Sequence, residues 1–87
     1  NINELKEHSK KSDVWSFGIL LWELFSLGEE VYKDKNNDEI INLIKSGYQH
    51  IIPKNCPEDI YNIMLKCWKL NQNDRPSFNE IFLKLKN

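Results

Sequence analysis

Histidines and cysteines are the side chains of this chain whose chemistry would be most useful to a catalyst or a metal site. His8 and His50 have no carboxylate or cysteine at a spacing that makes a metal site or a catalytic dyad credible. Cys56 and Cys67 are separated by ten residues, which fits neither a zinc-ligand pair nor a disulfide framework. We therefore expect solvated histidines and reduced thiols of ordinary reactivity.

Length and charge exclude several classes of protein. The 87 residues carry 12 Lys+Arg against 13 Asp+Glu, for a net charge of −1, and 40% of them are hydrophobic. This composition is typical of one small globular unit, and its mixed charges create no field that would attract nucleic acid. No uncharged run approaches the roughly 20 residues that a membrane span needs. We predict no nucleic-acid partner and no membrane span in this chain.

The first residues lack the features of a secretory leader. Asn-Ile-Asn at residues 1–3 supplies neither a charged region nor an apolar one, and the chain has no initiating methionine. Together with cysteines that we expect to be reduced, this predicts an intracellular protein and a piece of a longer chain.

Four helical segments must position these side chains, and the sequence predicts an all-α fold. Ser12 and Asn36 are short polar residues that can cap a helix, and Pro57 suits a first helical position. Ser77 and Glu80 have the spacing of a capping box. The predicted helices cover residues 12–27, 37–46, 57–68 and 77–86.

The first predicted helix is apolar nearly all the way round. Val14 and Leu21 lie on one face, whereas Trp15 and Trp22 lie on another. A helix without a solvent face must be the central element of a larger body. The other three helices are amphipathic and cannot cover it completely. We therefore expect the C-terminal part of a larger domain, or a domain that has a partner.

The segment S-D-V-W-S-F-G at residues 12–18 resembles the start of the long central helix in the C-terminal lobe of eukaryotic protein kinases. L-W-E-L-F-S-L-G at residues 21–28, followed by Tyr32, is similar to the tyrosine-kinase and tyrosine-kinase-like groups. Further motifs follow in the family's order, namely Gly47 with Pro53, C-P at residues 56–57, C-W at residues 67–68 and R-P-S-F at residues 75–78. The resemblance implies a partial kinase C-lobe, in which four main helices (F to I in the family's lettering) pack around a central buried helix.

A few loop positions depart from the family's pattern. Val31 stands in place of a proline, Gln49-His50 in place of an Arg-Leu pair, and Gln72 in place of another proline. We expect these departures to change the loops between the helices and to leave the helices intact.

The motifs that perform the family's reaction are absent from the 87 residues. The sequence has no G-x-G-x-x-G loop, no H-R-D and no D-F-G. We therefore assign no catalytic, cofactor-binding or metal-binding residue here. The resemblance implies that those residues lie upstream in a longer parent protein, which would use ATP and Mg²⁺. That missing upstream kinase segment is then the chain's first expected partner.

Four residues of this chain would support the active site of such a parent. In the family, the counterpart of Asp13 accepts hydrogen bonds from the catalytic-loop backbone. The counterpart of Arg75 pairs with the glutamate of an A-P-E motif. Counting back from Ser12 reaches Asn1, so either the chain starts just after that glutamate or asparagine replaces it. Trp15 and Trp68 would pack near that ion pair. For an isolated chain the alternatives are a plain helix N-cap, an exposed arginine and simple core burial of both tryptophans.

A docking surface is also implied by the resemblance. Residues 31–44 correspond to the helix G region, which in many kinases receives substrates or regulators. Tyr32, Ile40 and Ile44 are the candidate docking residues for a protein substrate or regulator. The alternative is an ordinary solvated helix.

Two functions stay open from the sequence. In the first, the parent phosphorylates proteins on tyrosine with ATP, and this segment supplies scaffold and docking surface. In the second, the segment is a non-catalytic binding module, kinase-derived or from a pseudokinase. An unrelated four-helix protein would require the whole series of motifs to arise by chance. The expected location is the cytoplasm or the cytoplasmic part of a receptor.

Overall fold

A computed structural model describes residues 2–29 and 31–86, with side chains from residue 9 onward. Its four α-helices are α1 (Ile2–Phe25), α2 (Asn37–Lys45), α3 (Glu58–Cys67) and α4 (Phe78–Lys86), with a 3₁₀ turn at Gln72–Asp74. No strand occurs within these described residues. The predicted all-α class is confirmed.

The helix α1 begins earlier than the sequence predicts. We expected a start at Ser12, but α1 begins at Ile2 and runs through Ser12 and Asp13 without a break. Residues 2–11 contain no glycine or proline and several strong helix formers, including Glu4 and Lys10. A capping residue starts a helix only where the residues before it leave the helical conformation, and here they do not. The N-cap interpretation of Asp13 is therefore wrong.

The other end of α1 is closed by a Schellman turn. The Gly28 N–H donates to the Glu23 carbonyl at 2.9 Å, and the Leu27 N–H donates to the Leu24 carbonyl at 3.3 Å. Leu27 occupies the left-handed position of this motif, with φ +63°. Its side chain is 88% exposed and so gains little from packing.

The Leu27→Gly variant is expected to raise the free energy of unfolding by about 0.5 kcal/mol. Leucine pays a steric penalty in the left-handed region, which glycine avoids at the expense of some unfolded-state entropy. Urea denaturation measures the change. Leu20→Gly is the matched control, because Leu20 is also exposed but lies in the interior of α1, where glycine costs about 1 kcal/mol. Equal losses in both variants would contradict the expectation.

The core lies where α1 crosses α3, and α4 packs against the same cluster. Met64 and Cys67 of α3 have no exposed surface, and Val14 of α1 and Ile81 of α4 are each 1% exposed. The remaining buried apolar residues surround these four and are Leu21, Trp22, Cys56, Ile63 and Trp68. Three of the four helices therefore share one apolar core.

Gly18 allows α1 to approach the end of α3 closely. A Cβ atom at this buried position would lie 2.8 Å from Cys67 Cβ and 2.8 Å from Trp68 Nε1. Both distances are shorter than van der Waals contact. Glycine in the middle of a helix is unfavourable by itself, so its place here follows from the packing.

The helix α2 is well capped and hardly buried. The Asn36 side chain accepts from the Glu39 N–H at 2.9 Å, and the Glu39 carboxylate accepts from the Asn36 N–H at 3.3 Å, which forms a capping box. Gly47 closes the other end with φ +87°. No residue of α2 is buried. This helix therefore depends on its flanking loops for its position.

Apolar side chains stay exposed on α1 and α4. Leu20 and Leu24 of α1 are 52% and 63% exposed, and Phe82 and Leu83 of α4 are 59% and 64% exposed. The uncovered part of α1 agrees with the expectation that three amphipathic helices cannot enclose it. Within the described residues, no helix has the length and apolar character of a membrane span.

Candidate functional site

Arg75 joins the turn after α3 to the middle of α1. Its guanidinium donates to three main-chain carbonyls, those of Lys11 at 3.0 Å, Lys69 at 2.8 Å and Leu70 at 3.3 Å. The Lys11 ammonium donates in return to the Arg75 carbonyl. The planar fork of arginine suits such divergent acceptors, which a lysine could not reach together.

Trp15 covers this junction from α1. The Arg75 guanidinium lies 4.8 Å from the centre of the Trp15 ring, which is a cation–π distance. Burial lowers the pKa of Arg75 from its usual value without threatening its charge. Among the side chains that the structure describes, no carboxylate forms an ion pair with Arg75. Asn1, where the sequence placed the partner glutamate of the family, lies outside the described residues.

Arg75 is thus not the free surface arginine that the sequence offered as the alternative for an isolated chain. Its three carbonyl bonds use three of the five N–H donors of a guanidinium. Two donors are left over, enough for one bidentate carboxylate. The role of Arg75 beside an A-P-E glutamate stays a prediction.

Asp13 is exposed on α1, two residues from the Lys11 carbonyl that Arg75 binds. Its carboxylate makes no hydrogen bond or ion pair with another described side chain. Since helix interiors offer no free N–H groups, the side chain is available to donors outside α1. The predicted bond to a catalytic-loop backbone stays untested.

Trp68 is part of the buried core, and its predicted place near the Arg75 ion pair stays a prediction. It is 6% exposed and packs against Gly18.

Burial raises the pKa of the neighbouring Cys67 thiol to about 11, against a smaller opposing effect of the Arg75 charge. The Cys67 thiol is therefore protonated at neutral pH, as its apolar surroundings require.

The docking candidates divide into two groups. Ile40 and Ile44 are half-buried on α2, where Ile41 is 48% exposed. Tyr32 turns inward, and its ring centre lies 4.7 Å from that of His50. Burial raises the pKa of Tyr32. Tyr32 therefore anchors the loop before α2, while the exposed part of the candidate surface is on α2 itself.

His50 is buried, and the prediction of a solvated histidine is wrong. It is 5% exposed and lies among the rings of Trp22, Tyr48 and Trp68 as well as Tyr32. These residues come from four separate stretches of the chain, so no local pattern reports the burial. The expectation of a solvated His8 concerns a side chain that lies outside the described part of the structure.

The described residues do not fit ATP or its metal ion. They contain no group of three His, Cys, Asp or Glu side chains that could hold a metal. A groove of about 750 Å³ between α3 and α4 is lined by residues such as Ile60, Lys66 and Leu85 and by no glycine. A phosphate cradle needs closely approaching backbone amides, which this lining does not supply.

Comparison with known proteins assigns the chain to a family. A family model described as "Protein tyrosine and serine/threonine kinase" matches residues 2–85. The chain belongs to the protein kinase family. The predicted resemblance is thereby confirmed, and the four helices correspond to part of a kinase C-lobe.

Individual relatives point to the tyrosine-kinase branch. "Tyrosine-protein kinase Fer" of Mus musculus is 46% identical over 78 residues, which cover 90% of this chain and 10% of the relative. "Tyrosine-protein kinase SYK" of Gallus gallus is 44% identical over 79 residues, covering 91% and 13%. "Ephrin type-A receptor 5" of Gallus gallus is 41% identical over 76 residues, covering 87% and 8%. The chain thus spans about a tenth of the length of these relatives.

Two residues of the site were missed by the sequence reasoning. Gly18 carried a usable signal, because an interior helical glycine indicates close packing. The sequence signal for His50 was weaker. His50 replaces the leucine of the family's Arg-Leu pair, and a position that is usually leucine is expected to be buried.

Proposed function

We propose that this chain is the scaffold and docking segment of a kinase domain whose intact parent transfers the γ-phosphate of ATP to protein tyrosine. The family match covers nearly the whole chain, and two of the relatives named above are called tyrosine-protein kinases. The motifs typical of the tyrosine-kinase branch, such as S-L-G at residues 26–28, support tyrosine over serine and threonine.

The Arg75 junction is the observation that carries the scaffold role. It fixes the turn after α3 to α1 at Lys11 and leaves the Asp13 carboxylate exposed nearby. An active-site loop that packs on α1 would find a rigid helix and a free acceptor there. Asp13 is accordingly proposed as a positioning residue, which would hold the catalytic loop without touching substrate.

In the intact parent, Mg²⁺ and ATP would supply the transferable phosphoryl group and the charge that stabilises its transfer. Residues outside this segment would hold both. The contribution of this segment is the packing of α1 against the catalytic loop through Asp13 and through the exposed face at Leu20 and Leu24.

The docking role is proposed for α2. Its half-buried residues Ile40 and Ile44 and its exposed Ile41 form an apolar stripe on a helix with no buried residue. Protein substrates or regulators of the parent could bind this stripe without disturbing the core. Because ATP-dependent kinases work where ATP is abundant, we place the parent inside the cell, in the cytosol or in the inner part of a receptor.

The 87-residue chain itself is expected to bind no ATP·Mg²⁺ saturably and to transfer no phosphate. Phosphoryl transfer depends on a positioned metal, a lysine and a catalytic aspartate that its sequence does not supply. Isothermal titration and a radiolabelled phosphate assay on a tyrosine-containing peptide check both points. Turnover that depends on this chain alone would refute the scaffold assignment.

The reading frame upstream of residue 1 then tests the parent. A frame that encodes H-R-D and D-F-G in order supports the enzyme, and the expressed parent should lose most of its activity in an Asp13→Ala variant. Degenerate motifs would instead make the parent a pseudokinase and the segment a non-catalytic binding module.

A further inference from the structure

His50 is the point at which both loops that flank α2 meet the core. Tyr32 belongs to the loop before α2, and Tyr48 belongs to the loop after it. The ring centre of His50 lies 4.7 Å from that of Tyr32 and 5.2 Å from that of Tyr48. It lies 5.1 Å from Trp22 of α1 and 5.5 Å from Trp68 at the end of α3. A single imidazole thus connects four separate parts of the chain.

The backbone around His50 is held to the same two helices. Tyr61 of α3 donates from its hydroxyl to the His50 carbonyl, and Trp22 of α1 donates from Nε1 to the Ile51 carbonyl at 2.8 Å. Because α2 has no buried residue, it is held to the core through its flanking loops, by these contacts, by the Tyr32 ring and by Val31, which also packs against the core. The side chain of His50 contributes the ring contacts with Tyr32 and Tyr48 to this attachment.

The surroundings of His50 disfavour a protonated imidazole. Its Nε2 is buried and has no hydrogen-bond partner among the described residues. A protonated ring would have two N–H donors and a positive charge inside this cluster. The neighbouring rings offer a weak cation–π attraction, which does not replace the hydration that a buried charge loses.

Among the described residues, no charged side chain contributes to the pKa of His50 and so could offset that loss. The titratable groups that face His50 are Tyr32 and Tyr48 from the two loops and Tyr61 from α3, and burial raises the pKa of Tyr32 and of Tyr61. From α1 and the end of α3 the facing side chains are Trp22 and Trp68, which do not titrate. In line with this, burial lowers the pKa of His50, and no described charge contributes to the change.

We propose that His50 is a proton-sensitive latch, which fastens α2 to the α1–α3 core while its imidazole is neutral and releases α2 when the imidazole is protonated. The proposal extends beyond scaffold and docking, and it holds whether or not a partner binds α2. Should α2 receive partners, acidification would remove the surface that they use.

The direction of the pH effect follows from linkage. The pKa of His50 is lower in the folded chain than its usual value of 6.5. The unfolded chain therefore binds the proton more readily than the folded chain, and stability falls as the pH drops below about 6.5. The folding equilibrium constant should decrease by up to about tenfold per pH unit until the folded pKa is passed. Carboxylates titrate near pH 4, so the range from pH 7.5 to 5 isolates the histidines.

The test compares the 87-residue chain with its His50→Leu variant. Urea unfolding at several pH values in that range should show a pH-dependent loss in the native chain and a nearly flat profile in the variant. NMR titration of the His50 ring protons gives its pKa directly. The amide signals of α2 should lose dispersion on acidification in the native chain only, before those of α1 and α3.

His8→Asn is the matched control, because it removes the other histidine and should leave the pH profile unchanged. If His50→Leu does not fold, His50→Met, with a more flexible side chain, takes its place. Parallel pH profiles for the native chain and the folded variant would overturn the proposal. So would a His50 ring that titrates at or above pH 6.5, or α2 signals that do not change when the ring is protonated.

Discussion

The Arg75→Ala variant is expected to lose about 2–3 kcal/mol of unfolding free energy. The substitution removes three hydrogen bonds from a charged donor and its contact with the Trp15 ring. Part of the loss is recovered because the Lys69 and Leu70 carbonyls lie on exposed residues that water can reach. For a domain of this size that is a large fraction of the net stability, which is on the order of 5 kcal/mol.

Chemical denaturation of three variants separates the causes of that loss. Arg75→Lys keeps the positive charge but not the planar fork, and we expect it to recover less than half of the loss. Lys54→Ala removes an exposed loop cation and should change the stability by less than about 0.5 kcal/mol. If Arg75→Lys is as stable as the native chain, charge alone explains the junction and the fork geometry is irrelevant.

The Gly18→Ala variant is expected to lose about 2 kcal/mol, even though alanine is the better helix former. The new methyl group would lie 2.8 Å from Cys67 Cβ, which is attached directly to the backbone of α3 and cannot swing away. The end of α3 must therefore shift, and Trp68 must move with it. The helix-propensity gain of about 1 kcal/mol is smaller than the packing loss that we expect.

Ser16→Ala is the control for this prediction. Ser16 lies two residues away on α1 and is exposed, so alanine there should be neutral or slightly stabilising. Thermal unfolding by circular dichroism gives both values under the same conditions. A Gly18→Ala variant that is as stable as Ser16→Ala would show that the two helices are less closely packed than the geometry indicates.

The sequence predicted the helices whose ends depend on local chemistry. For α2 and α4 the capping residues Asn36 and Ser77 bond as their spacing indicates. The observed bounds of α2, α3 and α4 agree with the predicted ones to within one residue at each end. The start of α1 was wrong because the cap at Ser12 is optional when helical residues precede it.

The contacts of the candidate site were harder to predict, because they join residues far apart in the chain. Arg75 was identified as important through the family resemblance, but its acceptors are main-chain carbonyls, which carry no residue-specific signal. The burial of His50 requires rings from α1, from the end of α3 and from two loops at once. Sequence periodicity indicates which face of a helix is apolar, but it does not indicate which side chains from distant parts of the chain come into contact.

The junction at Arg75 also limits which basic residues of this chain can be replaced by lysine. Of its 12 basic residues Arg75 is the one arginine, and the other basic residues are lysines. At an exposed position arginine and lysine are nearly exchangeable. A bias toward lysine can therefore replace surface arginines with little loss of stability. We expect this bias to stop where one side chain must donate to three carbonyls at once, as Arg75 does. In a chain whose other basic residues are lysines, a single arginine therefore indicates a position that requires the geometry of the guanidinium group.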